Sequence, residues 1–153
     1  GVEEYETLIA MYKKEELQQE KDRIGRALGS CKQEELLKKT LAFALSSDVR
    51  LQAVNGIVTA VWGNPKGQAL TWDFVKENWA TFQERFGGGH LLSRLISAAS
   101  DFKTAEKAKD IEAFFEKHSV PEAMRTIAQV LEQIYANEAW LAADKEKLAA
   151  FLR

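Results

Sequence analysis

GQALTWDFVKENWATFQERF, running from Gly67 to Phe86, carries five large aromatics, Trp72, Phe74, Trp79, Phe82 and Phe86, and its reading decides the fold. Ala69, Trp72, Val75, Trp79, Phe82 and Phe86 follow one another at steps of three or four, the period of a single helix face. Each Trp or Phe removes on the order of 150–250 Å² from water when buried, so a stripe this aromatic needs partner helices on both sides. Lys76, Glu77, Gln83, Glu84 and Arg85 fall on the opposite, water-facing side. Pro65 and Gly67 open the predicted helix, and Gly87, Gly88 and Gly89 close it.

The same period extends outward in both directions. Upstream, Tyr5, Leu8, Ile9 and Tyr12 mark a first helix, and Leu17, Ile24, Ala27 and Leu28 a second that Gly29-Ser30 stops. Ser30, with Gln33 three residues on, reads as a capping box for a third helix burying Leu36, Leu37, Thr40, Leu41 and Ala44. Ser46-Ser47-Asp48 offers a cap for a fourth, with Val54, Ile57, Val58 and Val61 inward, ended by Gly63-Asn64-Pro65. Downstream, Leu91, Leu92, Leu95 and Ile96 face the core from a short helix reaching Ala99. Thr104 caps a helix whose core is Ile111, Phe114 and Phe115. Ser119 and Pro121 open another, carrying Met124, Ile127, Val130, Leu131 and Ile134. The last segment holds Trp140, Leu141, Leu148, Phe151 and Leu152, continuous with its predecessor through Tyr135 to Glu138.

Alternating runs of β-branched residues are nearly absent, so the expected class is all-α. Roughly eight or nine helices of about 9 to 20 residues joined by short polar turns pack as antiparallel hairpins. Pairs recurring at roughly 35–45 residues favour an α-solenoid of the HEAT or armadillo kind over a closed bundle. The 153 residues are expected to form one helical domain, 1–153. Gly1 stands where an initiator methionine would, and the expectation is a piece excised from a longer protein.

A hydrophobic share of 46% with 29% charged residues is that of a globular protein, and a net charge of -2 gives no electrostatic basis for nucleic acid or an anionic membrane as partner. The single cysteine, Cys31, allows no internal disulfide and suits a reducing compartment. No apolar run reaches the roughly 18 residues of a membrane span. The start, Gly1-Val2-Glu3-Glu4, is acidic where a targeting segment would be basic.

Residues able to do chemistry are few. His90 and His118 are the two histidines, followed by Leu-Leu-Ser-Arg and Ser-Val-Pro-Glu, so neither belongs to an H-E-x-x-H pair. The expectation is no metal site and no catalytic residue, with His118 set against the last carbonyls of its helix. Cys31 lies where a third helix is expected to begin, which would favour its thiolate, but it reads better as a small buried residue. Gly87-Gly88-Gly89 lacks the strand before it and the Lys-Ser/Thr after it that a phosphate loop needs. Lys13 to Asp22 mixes both charge signs as a solvated helix face does. Arg50 and Arg94 read as surface cations, and substrate-binding residues stay unassigned.

Five stretches in order carry a resemblance: ALGS…LLKKTLAFALSSDVRLQ (Ala27 to Gln52), NPKGQALTWDFVKENW (Asn64 to Trp79), GGGHLLSRLI (Gly87 to Ile96), IEAFFEKH (Ile111 to His118) and NEAWLAADKEKLAAFL (Asn137 to Leu152). Together they resemble the C-terminal helical domain of zinc aminopeptidases of the puromycin-sensitive and aminopeptidase N family, nearest to the cytosolic, puromycin-sensitive branch. The resemblance implies a zinc metallopeptidase parent that removes N-terminal residues from peptides. In that family zinc is held by H-E-x-x-H and a distant glutamate, and a G-x-M-E-N loop binds the substrate's amino group; this chain has none of them. It would therefore be the non-catalytic piece that closes or shapes the substrate chamber, with the catalytic domain of the same polypeptide as partner, peptides as substrates and a cytoplasmic location. In antigen-trimming members an arginine anchoring the peptide carboxylate falls where this chain has Ser30, so the same anchor is not expected. Trp72, Phe74, Trp79, Phe115 and Trp140 match family positions as core residues. The alternative reading is a free-standing helical-repeat module that binds a protein along its concave face.

Overall fold

The computed structural model describes residues 1–87 and 90–153. Gly88 and Gly89, part of the run expected to close the aromatic helix, lie outside the described residues. All regular structure among the described residues is helical, as expected. The α-helices in order are α1 (Val2–Lys14), α2 (Gln18–Gly29), α3 (Glu34–Ala44), α4 (Leu51–Trp62), α5 (Gln68–Glu77), α6 (Trp79–Phe86), α7 (His90–Ser97), α8 (Ala105–Lys117) and α9 (Met124–Phe151). Two short 3-10 turns, Ala98–Asp101 and Pro121–Ala123, precede α8 and α9. The helices fall into two compact units, Gly1–Leu95 and Ile96–Arg153.

In the first unit α4 is the central element. Its apolar face, Val54, Ile57, Val58, Val61 and Trp62, is buried, and α2, α3 and α5 all pack on it. Gly25 of α2 rests on Ile57 and Gly29 on Ala60 and Val61, so α2 and α4 run in the same direction. The contact brings backbone onto backbone: a Cβ at Gly29 would lie 2.6 Å from Ala60 Cβ and 2.8 Å from the Ala60 carbonyl carbon. Helices α1 and α3 are matched in the same sense. The Tyr5 and Thr40 hydroxyls share a hydrogen bond of 3.0 Å, and further along Tyr12 meets Phe43 edge-on with ring centroids 5.1 Å apart. Each hairpin therefore lies beside the next in register, first helix on first and second on second.

The aromatic stretch is two helices and not one. Asn78 leaves helical geometry at φ -107°, ψ 20°, and both its backbone N–H and its side-chain Nδ2 donate to the Phe74 carbonyl, at 3.0 and 2.9 Å. An asparagine amide that competes for the backbone in this way interrupts a helix. Trp72, Val75, Trp79, Phe82 and Phe86 are buried as their spacing predicts. Ala69 is exposed instead, because it and Val75 flank Trp72 on opposite sides and the covered flank is that of Val75 and Thr71. Phe74 is half-buried against the edge of Phe82. Lys76, read as water-facing, lies over the Trp72 ring, 5.4 Å from its centroid.

Several expected caps are placed differently. Ser30 belongs to the end of α2, where its Oγ donates to the Arg26 carbonyl at 3.1 Å, and Gln33 flanks α3. Buried Val49 separates Ser46-Ser47-Asp48 from α4, whose flanking residue is Arg50. Val120, not Ser119, precedes the Pro121 turn. Thr104 caps α8 as expected, its Oγ1 accepting from Lys107 N at 3.3 Å. Leu17 and Met124, read as core, are exposed at helix starts, Ala27 is exposed on α2, and Leu8, Ile9, Leu91 and Phe114 are half-buried.

In the second unit α8 and α9 pack together, burying Ala108, Ile111, Phe115, Val130 and Ile134. Asn137 Nδ2 donates to the Ser100 and Phe102 carbonyls at 2.8 and 3.0 Å, and the Glu138 carboxylate accepts from Ala105 N at the start of α8. Helix α9 is continuous through this point for 28 residues. Trp140, expected in the core, is 70% exposed, because α8 and the 3-10 turn end before they reach it.

Gly29→Ala should lose about 1–3 kcal/mol of stability by overpacking the α2–α4 contact, while Gly56→Ala on α4, where a Cβ would meet nothing within 4 Å, should gain up to about 1 kcal/mol. Urea midpoints of the two variants check this, and a neutral Gly29→Ala would mean that α2 does not touch α4. Burial raises the phenol pKa of Tyr5 and Tyr12 above the ordinary value. A raised folded-state pKa leaves their contribution intact below the unfolded value of about 10 and removes it as pH climbs through the folded one. The thermal midpoint should therefore fall above about pH 10, and a Tyr5→Phe/Tyr12→Phe variant should fall less steeply.

Candidate functional site

The two histidines lie at different elements, as do the two singled-out arginines. His90 is exposed at the start of α7, in the first unit. His118 ends α8 in the second, its ring stacked on Phe114 at 4.2 Å and its Nδ1 3.0 Å from the Phe114 carbonyl. That is the helix-end position expected for it. Arg50 flanks α4 and Arg94 lies on α7, both exposed. Among the described residues no three His, Cys, Asp or Glu side chains are grouped so that they could hold a metal ion.

Two of the singled-out residues do share a site. Ser30 and Cys31 line a cleft of about 470 Å³ between the loop after α2 and the loop after α4, together with Lys32, Ala60, Gly63, Asn64, Pro65 and Lys66. Its frame is the Asn64 side chain. Nδ2 donates to the carbonyls of Gly29 and Cys31, at 3.1 and 2.8 Å, and Oδ1 accepts from Lys66 N at 3.1 Å. One amide thus satisfies carbonyls left open at the end of α2, as every helix end requires, and folds the next loop over them. The Lys66 ammonium reaches across to the Lys32 carbonyl at 3.1 Å, closing one side.

The electrostatics of the cleft are one-sided. Lys32 and Lys66 supply two cations, and no carboxylate is among the lining residues. Cys31 is half-buried in the loop and not at a helix start, since α3 begins at Glu34. Burial pushes its thiol above the usual cysteine range, so it stays protonated at neutral pH and is a poor nucleophile. The Ser30 hydroxyl donates a hydrogen bond to the Arg26 carbonyl. The cleft presents two ammonium groups but pairs no nucleophile with a base.

Sequence reasoning saw Asn64 only as part of a helix stop and passed over Lys32 and Lys66. The available signal was an asparagine directly after the glycine ending α4, a position from which a short amide reaches a neighbouring helix end. Asn64→Ala should cost about 1–3 kcal/mol by leaving those carbonyls unpaired. It should also speed alkylation of Cys31, which in the parent chain should be slow at pH 7.5 and rise steeply above pH 9. Thiol-labelling rates on the two proteins check both statements.

The comparisons with known proteins agree with the resemblance noted in the sequence. Residues 1–136 match the model of the ERAP1-like C-terminal domain. The chain is 36% identical over 145 residues to Aminopeptidase M1 of Arabidopsis thaliana, covering 94% of this chain and 16% of that protein. It is 32% identical over 137 residues to Aminopeptidase M1-A of Oryza sativa subsp. japonica, covering 90% and 15%. Human Aminopeptidase N is 30% identical over 152 residues, covering 95% and 16%. The chain spans about 16% of the length of such relatives. With its helices and nearly its whole length matched in this way, the chain belongs to the family of ERAP1-like C-terminal domains.

Proposed function

We propose that residues 1–153 are the C-terminal domain of a larger zinc-dependent aminopeptidase and that this domain shapes the substrate chamber without taking part in bond cleavage. The observation that carries the reading is the match of residues 1–136 to a C-terminal domain family, in a chain that aligns with about 16% of each aminopeptidase relative. The partner is then the catalytic domain of the same polypeptide, which would supply zinc and the water that attacks the peptide bond. Peptides are the substrates. The in-register hairpins of the first unit support an α-solenoid of HEAT-like repeats, a scaffold whose curvature can wall a chamber. Lys32 and Lys66 are the cations able to meet acidic groups of a peptide passing the cleft. The resemblance to the cytosolic, puromycin-sensitive branch supports a cytoplasmic location for the parent enzyme as part of this reading.

The decisive experiment compares the full polypeptide with the 153-residue chain on an aminoacyl-amide substrate. The full polypeptide should hydrolyse it and lose activity to a chelator; the isolated chain should neither hydrolyse it nor retain zinc after dialysis. Stoichiometric, tightly held zinc in the isolated chain would overturn the non-catalytic reading.

A further inference from the structure

Tyr12 is 1% exposed, yet its hydroxyl has no hydrogen-bond partner among the described residues, whereas the Tyr5 hydroxyl on the same helix is bonded to Thr40. A buried phenol ordinarily finds a partner, because leaving it unpaired forfeits its bonds to water. Tyr12 lines a cleft of about 220 Å³ between α2 and α4, wholly within the first unit. The two helices close on each other where Gly25 rests on Ile57, but at Gly56 the space is open, and a Cβ there would meet nothing within 4 Å. Burial, and next the charge of Asp22 in the same cleft, raise the Tyr12 phenol pKa. The hydroxyl is therefore a donor at neutral pH, beside the charged groups of the cleft.

Those charged groups do not neutralise one another. Asp22 and Arg26, four apart on α2, have the spacing of an ion pair. Instead Arg26 Nε donates to the Asp22 backbone carbonyl at 3.3 Å, and Asp22 Oδ1 accepts from Gln18 Nε2 at 2.8 Å. Lys21 holds its ammonium over the Tyr12 ring, 5.1 Å from the centroid. Neither cation has an ion-pair partner among the described residues, and Asp22 Oδ2 has no hydrogen-bond partner among them. Below these groups lie buried Ala53 and Ile57.

Two cations and a phenol hydroxyl suit a carboxylate, the open Asp22 oxygen suits an ammonium, and the apolar floor suits a short hydrocarbon. A zwitterion with an aliphatic side chain uses all three, whereas an inorganic anion would face Asp22 and leave the floor uncovered. The volume falls below the roughly 300–1,000 Å³ of sites for drug-sized ligands, so the fit is to one amino acid and not to a peptide. We infer that the α2–α4 cleft binds a free aliphatic α-amino acid, its carboxylate held by Lys21, Arg26 and the Tyr12 hydroxyl, its ammonium by Asp22 and its side chain over Ala53 and Ile57. The site stands on these side chains and does not depend on the chain's belonging to an active aminopeptidase.

The test is titration of L-leucine into the 153-residue chain, followed by calorimetry and by amide NMR shifts. Leucine should bind saturably and shift the amides of Arg26, Ala53, Gly56 and Ile57 more than those of residues 96–153. N-acetyl-leucine, which lacks the ammonium as a peptide's C-terminus does, and leucinamide, which lacks the carboxylate as a peptide's N-terminus does, should each bind at least about tenfold more weakly. Asp22→Asn and Arg26→Gln should weaken leucine to a similar extent. Tyr12→Phe should weaken it severalfold without lowering the thermal midpoint at neutral pH, because this hydroxyl holds nothing in the fold. Absence of saturable shifts would overturn the inference. So would equal binding of N-acetyl-leucine or leucinamide, which would mean a peptide end, or of inorganic phosphate, which would mean a cleft that gathers any anion.

Discussion

The close seating of α2 on α4 at Gly25 and Gly29 is the contact on which the rest of the first unit depends. A Cβ at Gly29 would lie 2.6 Å from Ala60 Cβ, so the two backbones approach too closely there for any side chain. That approach sets the direction of α2 against α4, and through the short loops it sets the direction of α1 against α3. Large side chains fill what remains. Trp62 and Trp72 stack with centroids 6.4 Å apart where α4 meets α5, and Tyr12 seals the other end against Phe43. Small residues allow the close approach, and aromatic and aliphatic side chains together fill the core around it.

Helix ends are the second constraint. Hairpins laid side by side bring the ends of neighbouring helices together, and their unpaired carbonyls need donors. Asn64 answers this in the first unit by bonding carbonyls 35 and 33 positions earlier, Gly29 and Cys31. Asn137 answers it in the second by bonding carbonyls 37 and 35 positions earlier, Ser100 and Phe102. Both asparagines bond carbonyls at the end of an earlier helical segment, Asn64 from the loop after α4 and Asn137 from within α9.

Periodicity made the helices and most of their buried faces legible: Val54, Ile57, Val58 and Val61 on α4 and Trp72, Val75, Trp79, Phe82 and Phe86 on α5 and α6 needed only spacing. Three things were not legible. The break at Asn78 depends on one amide turning back onto Phe74, a local competition that an aromatic stripe hides. The cap positions moved because Val49 and Val120 are drawn into the core ahead of their helices, and burial of a valine outweighs the weak preference of a nearby serine. The cleft escaped because Asn64, Lys32 and Lys66 are ordinary loop residues until two helix ends are brought beside each other.

Trp140 shows a different kind of limit. Its size and its place on a helical stripe give the same signal whether the covering partner lies within these residues or elsewhere in the polypeptide, since burial removes a similar area from water in either case. Helix periodicity therefore identifies a face that must be covered, not the element that covers it. In α9 the change from one case to the other falls at Asn137 and Glu138, the residues that tie the helix to the start of α8. Inward of them the stripe is core. Outward of them Leu141, Leu148 and Leu152 return to the same side of the helix with Asp144 and Lys145 between them, and every residue from Glu138 on is exposed except half-buried Asp144.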